Sequence, residues 1–163
     1  MGTTWSARIV DPPADCQTHV EAVLATVIGE MSNWEAGSDI SRFNRAPARR
    51  WQALPPDFFT VLRRALDIAA ASGGAFDPTV GPLVALWGFG AHAGERRQPD
   101  DATLQATRDR CGWQRLQWQD DALLQPGGLE LDLSAIAKGF GVDHVAAWLR
   151  GQGITAALIE VGG

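Results

Sequence analysis

Three observations predict an α+β fold, with a mixed sheet and packed helices, for this 163-residue chain. Two stripes of apolar residues at helical spacing lie in the first half, at Val20 to Met31 and at Phe58 to Ala69. Short alternating segments that read as strands lie at the two ends and again beyond residue 114. Their succession mixes strands and helices without the strict alternation of a doubly wound sheet. A hydrophobic content of 45% is enough to build a core under them.

Taken in order, Thr4 to Val10 alternates Trp5, Ala7 and Ile9 with polar residues, a first strand that Pro12-Pro13 ends. Val20, Val23, Leu24, Val27, Ile28 and Met31 then form one helical face, which is core. Ser32 to Ala48 breaks the period and reads as a polar loop, with Trp34 and Phe43 its only aromatics. A tryptophan in such a loop either stacks on a ring or pins the loop to the domain. Pro55-Pro56 opens a second helix, with Asp57 in its first turn and Gly73-Gly74 at its end. Gly73 to Gly90, GGAFDPTVGPLVALWGFG, is glycine-dense and leaves room for a short helix over Pro78 to Trp87. Asp77 and Thr79 there either face a ligand or bond local amides in a turn.

Residues 91 to 98 read as a surface loop, and Asp100 caps a short helix ending near Cys111-Gly112. Gln114 to Trp118 and Leu123-Leu124 read as a hairpin about Asp120-Asp121. Leu129, Leu131 and Leu133 alternate with Glu130 and Asp132 as a strand with one face buried. Ser134 then caps a helix from Ala135 to about Arg150 that Gly151 stops, with Lys138 one turn in. Free amide groups, the positive helix end and a lysine converge there on a spot suited to phosphate. Asp132 adds an oxygen for a ribose, an amide or a metal. A capped helix with a solvated lysine has the same spacing. Ile154 to Val161 reads as a buried strand, and the chain stops at Gly162-Gly163, a turn signal.

The net charge of -5 argues against a nucleic-acid surface. No stretch approaches the roughly 20 apolar residues that span a bilayer, and no signal peptide is visible. Cys16 and Cys111 are far apart and show no metal-ligand spacing; both read as buried thiols. Seven tryptophans and no tyrosine supply flat rings for core or stacking. The chain has no GxxxxGK[ST], no GxGxxG between strand and helix, no GxSxG and no HExxH. What remains points to a nucleotide or flavin nucleotide with Mg²⁺.

At these same residues the sequence resembles the FAD:protein FMN transferases, the ApbE family. The resemblance rests on MGTTW at Met1 to Trp5, MSNWEAGSDISRFN at Met31 to Asn44, GGAFDPTVGPLVALWGFG at Gly73 to Gly90 and DLSAIAKGFGVD at Asp132 to Asp143, in the family's order. It implies a fold built around a flavin cleft. The activity implied is Mg²⁺-dependent transfer of FMN from FAD to a threonine or serine hydroxyl of an acceptor protein, with release of AMP. FAD hydrolysis to FMN and AMP and a flavin-binding module without turnover are the alternatives. Met1, Trp34, Ala75, Phe76, Asp77, Asp132 and Lys138 would contact FAD, and Ala135 would give its backbone oxygen to Mg²⁺. Trp34 stands where the family usually has tyrosine, which keeps stacking and loses a phenolic hydrogen bond. No residue stands out as general base.

The resemblance makes residues 1–163 a single incomplete domain lacking the family's C-terminal segment, which carries the acidic and threonine ligands of the metal. Members typically have residues ahead of the MGT motif, often a signal peptide with a lipid-anchoring cysteine. The resemblance therefore leaves room for an anchor ahead of Met1 and a place on the periplasmic side of the inner membrane.

Overall fold

The computed structural model describes residues 3–91, 94 and 96–162. The helical stripe of the first half forms α1, Cys16–Met31, which buries Cys16, Val20, Leu24, Val27 and Met31. Its two halves serve two cores. The first half packs with Val145 and Leu149 of α6 (Ala137–Gly151) against Trp5 and Ile9 of β1 (Trp5–Ile9) and Ile159 and Val161 of β5 (Ala157–Val161). Gly141 permits this approach of α1 and α6, since a Cβ there would lie 3.2 Å from Leu24 Cδ2. The second half joins the larger core of Ile40, Phe43, Phe58, Leu62, Leu123 and the three leucines 129, 131 and 133, all fully buried.

The α+β class expected from the sequence is the one observed. In place of the expected mixed sheet, the strands among the described residues form two antiparallel sheets, β1 with β5 and β2 (Arg50–Ala53) with β4 (Ala122–Gln125) and β3 (Gln117–Gln119), in the order β2-β4-β3. No helix among the described residues is long and apolar enough to cross a membrane.

The segment read as a polar loop, Ser32 to Ala48, contains α2 (Asp39–Arg45). Ser38 caps it by accepting from Ser41 N at 3.2 Å, and Asp39 and Arg42 sit at the ends the helix dipole favours. Phe43 is therefore core, with its ring fully buried. The second stripe forms α3 (Pro56–Ala71), and Gly74 N closes its end on Ala69 O at 2.8 Å with Gly73 at φ 61°. Pro55 has no side-chain cap to offer; Glu30 of α1 supplies one, its Oε2 accepting from Phe58 N at 2.9 Å. The expected Pro78 to Trp87 helix shortens to α4 (Gly81–Leu86). Asp100 caps α5 (Asp101–Arg108) as expected, accepting from Thr103 N at 2.8 Å. Cys16 is buried and Cys111 only partly so. The strand expected to be buried, β5, is an edge strand on which Leu158 is 64% exposed.

The largest departure is at Leu129 to Leu133. The alternation is real, because all three leucines are fully buried, yet the segment joins no sheet. Two amide side chains take the place of a neighbouring strand. Gln125 Nε2 donates to Leu129 O at 3.0 Å and its Oε1 accepts from Leu129 N at 3.3 Å. The same carboxamide donates to Phe43 O and accepts from Gly127 N, so its two donors and two lone pairs are all used. Asn44 does likewise two residues on: Oδ1 accepts from Leu131 N at 2.8 Å and Nδ2 donates to Leu131 O at 3.0 Å.

The helix that follows starts later than Ser134 suggests. Ser134 N donates to Asp132 Oδ1 at 2.8 Å, and Ile136 N and Ala137 N both donate to Leu133 O, so a turn precedes α6 and Ile136 occupies the cap position. Gly151 is the last residue of α6, with Gln152 as C-cap ahead of Gly153 at φ 79°.

Replacing Gln125 by leucine strips partners from four backbone groups in a buried setting. Gln125→Leu is expected to lower the unfolding free energy by about 3–5 kcal/mol, read from urea denaturation. Burial is the largest influence on Glu30 and raises its pKa; the Phe58 amide opposes it, and Asp57 and Asp39 add to it. An acid raised on folding is protonated in both states at low pH, and the unfolded chain loses its proton first as pH rises. Stability is therefore withdrawn above the ordinary carboxylate range. The melting-temperature advantage of Glu30→Gln should grow between about pH 4 and pH 7, and a pH-independent difference would count against this account.

Candidate functional site

Three stretches of chain, distant in sequence, converge on one cleft. The first is the loop after α1. Ser38 Oγ and Ser41 Oγ donate to Ser32 O at 2.7 and 3.4 Å, and Ser32 Oγ accepts from Trp34 N. Arg45 donates to Ala36 O at 2.5 Å, and Arg42 donates to Gly37 O. The loop is thus tied down by α2 behind it, which leaves the Trp34 ring 55% exposed.

The second is the glycine-dense bend. Asp77 Oδ1 accepts from Thr79 N at 2.8 Å and from Thr79 Oγ1 at 2.7 Å, while Oδ2 accepts from Trp113 N at 3.3 Å. Thr79, fully buried, in turn accepts from Gly112 N at 2.7 Å. Of the two roles open to Asp77 from sequence, the turn-forming one is visible in these bonds. The third is the Asp132 to Lys138 turn.

A single joint locks the second stretch to the third: Asp132 N donates to Pro78 O at 2.8 Å. Beside it a Cβ on Gly81 would lie 2.9 Å from Glu130 O, so the two backbones touch where only glycine fits.

The resulting cavity, about 520 Å³, is lined by Trp34, Ala75, Phe76, Asp77, Asp132, Ala135 and Lys138, together with Thr3, Asn33, Val80 and Val84. Every site residue expected from the sequence is there except Met1, which lies outside the described residues. Its volume is in the range of small-molecule and cofactor sites. The lining combines an exposed indole with a helix start and a cation.

Lys138 is the only lysine in the chain. It stands in the first turn of α6, where the free amides and the helix dipole favour an anion. Its stem crosses the backbone of Gly162, whose Cβ, if present, would lie 2.8 Å from Lys138 Cδ and 3.1 Å from Nζ. Gly162 is at φ 85° and donates its N-H to Thr4 O at 3.0 Å, so the end of β5 and the start of β1 fix where the amine lies. No ion pair or hydrogen bond to another described residue engages that amine.

For a hard cation, the described residues offer part of a ligand set. Ala135 lines the cleft and its carbonyl accepts no backbone hydrogen bond among the described residues, which fits one oxygen ligand. No group of three Asp, Glu, His or Cys side chains placed to hold a metal occurs among them. Thiolate chemistry is disfavoured at the nearby cysteine, because burial, and secondarily the Asp77 carboxylate, push the Cys111 thiol up.

The sequence does not single out Asn33, Asn44 or Gln125, whose side chains build the cleft's frame, whereas Thr79, named with Asp77, takes the turn-forming alternative. Only the polar character of SNW and RFN, and of Gln125 ahead of Pro126-Gly127-Gly128, signals them, and that does not separate a buried amide from a solvated one.

The sequence model described as the ApbE family matches residues 1–163. The FAD:protein FMN transferase of Vibrio cholerae serotype O1 is 38% identical over 169 residues, covering 100% of this chain and 51% of the relative. That of Haemophilus influenzae is 33% identical over 175 residues, again with 100% and 51% covered. Among solved structures, the flavin transferase ApbE from Vibrio cholerae superposes with a TM-score of 0.93 at 37% identity, covering 100% of this chain and 55% of that one. The apo form of the Pseudomonas stutzeri flavinyl transferase ApbE gives 0.91 at 34% identity, with 100% and 56% covered. The chain thus spans about half the length of the relatives it matches. With its whole length matched by the family's sequence model, and its cleft assembled from the motifs that first suggested the likeness, the chain belongs to the ApbE family.

Proposed function

We propose that the protein transfers FMN from FAD to a threonine or serine hydroxyl of an acceptor protein and releases AMP. The observation that carries this reading is the convergence of Trp34, the Asp77 bend and the chain's only lysine on one cavity of about 520 Å³. An indole and a cationic helix start in one cleft suit a ligand with a flat ring at one end and a diphosphate further along.

In this reading Trp34 stacks on the isoalloxazine ring, Ala75 and Phe76 flank it, and the Asp77 turn holds that wall in place. Lys138 and the α6 amides receive the diphosphate, and Asp132 bonds the nucleotide beside it. The acceptor hydroxyl oxygen forms a bond to the phosphorus of the FMN half while the bond from that phosphorus to the bridging oxygen breaks. The hydroxyl proton is released, and AMP departs with the bridging oxygen. Lys138 stabilises charge that builds on the phosphate oxygens during this exchange, a role most effective when the amine has no other partner.

Two carboxylates, Asp77 and Asp132, border a site proposed for an anion, so a cation is needed to offset them. Mg²⁺ would be held in part by the Ala135 carbonyl and would supply that neutralisation when bound.

The test uses protein expressed from its intact reading frame, incubated with FAD, Mg²⁺ and a threonine-bearing acceptor, with in-gel flavin fluorescence as readout. Labelling is expected, lost on chelation of Mg²⁺, and reduced roughly 10²-fold or more by Lys138→Met. Full labelling by that variant would remove the amine from the reaction. AMP release with no labelled acceptor would replace transfer by hydrolysis.

A further inference from the structure

Asn44 lies in α2 and binds both walls of the cleft at once. Its carboxamide takes the N-H and C=O of Leu131, the residue before Asp132, and also donates to Asn33 Oδ1 at 3.4 Å. Asn33, the residue before Trp34, itself donates to Leu131 O at 3.2 Å. Three bonded groups therefore join the residue ahead of the stacking ring to the residue ahead of the phosphate-side carboxylate. Between them lies a void of only about 20 Å³, bordered by Asn33, Asn44, Gly81, Glu130, Leu131 and Asp132.

We propose that Asn44 is a positioning residue that sets the spacing between the ring end and the phosphate end of the cleft, and so selects a dinucleotide that spans both. This role rests on the flavin nucleotide reading above. A ligand engaging both ends gains from their fixed separation, because the second contact is made without further loss of translational freedom. A ligand engaging one end gains nothing from it. Asn44 touches neither ring nor phosphate in this arrangement; it acts through Leu131 and Asn33.

The experiment measures the affinity of the intact protein and of Asn44→Ser for riboflavin, ADP and FAD by calorimetric titration. Riboflavin and ADP should bind the variant within about 2-fold of the unmutated protein, and FAD at least about 10-fold more weakly. Unchanged FAD affinity overturns the proposal. An equal loss for all three ligands also overturns it, since that is the signature of a merely structural residue. Should Asn44→Ser fail to fold, amide hydrogen exchange on the unmutated protein decides. Riboflavin alone is expected to slow exchange both in the loop at residues 32–36 and at residues 130–133, and slowing confined to the loop refutes the coupling. If the unmutated protein binds none of the three ligands, the flavin reading itself fails, a result separate from any change caused by Asn44.

Discussion

The backbone of Leu129 to Leu131 is satisfied by two side-chain amides, and the packing around the cleft follows from that. Its leucines are fully buried, so its amide and carbonyl groups cannot turn to bulk water, and no strand lies alongside. A buried backbone group without a partner is destabilising by about 1–3 kcal/mol, and this segment has several. Gln125 and Asn44 each present a carboxamide, the same donor and acceptor pair as a peptide unit, to alternate residues of the segment. They reproduce a strand's hydrogen bonds without a strand. Because the amides come from β4 and α2, they also weld the small sheet and the short helix to the segment that carries Asp132 and leads into Lys138.

That arrangement explains why the cleft can be built from loops and still be defined. Loops ordinarily move more than the elements they connect. Here each wall is fixed from behind. Trp34 follows a serine and asparagine network anchored on α2, the Asp77 bend is tied to Gly112 and Trp113, and the turn into α6 is held through Pro78. The hydrogen-bonding capacity of Asp77 is largely spent on its own turn, and the Lys138 amine has no bonded partner among the described residues. The cleft therefore divides its polar groups between those that shape it and those left for a ligand.

Sharing α1 between two cores has a consequence for the same site. Its N-terminal half docks α6, fixing the axis along which the positive helix end points into the cleft, while its C-terminal half leads directly to the Trp34 loop. Trp34 and the N-terminus of α6 are thus set against a common support. Close packing at Gly141 and Leu24 makes that support short and stiff.

Read alone, the sequence was enough for the class of fold, the two long helices, the burial of Leu129, Leu131 and Leu133 and seven of the residues that line the cleft, Trp34, Ala75, Phe76, Asp77, Asp132, Ala135 and Lys138. Period and motif are local properties, carried by neighbours along the chain. It did not separate α2 from a loop, because seven residues flanked by polar ones carry too short a period, and Ile40 and Phe43 are buried in a core shared with α1, α3 and β4. Nor could it show that the leucine alternation belongs to a segment held by side chains, that Ser134 is bonded inside a turn, or that β5 lies at an edge. Only the tertiary structure decided those points, because a backbone group takes whichever partner the fold brings within about 3 Å, and that partner lies as far off in sequence as Asn44 from Leu131.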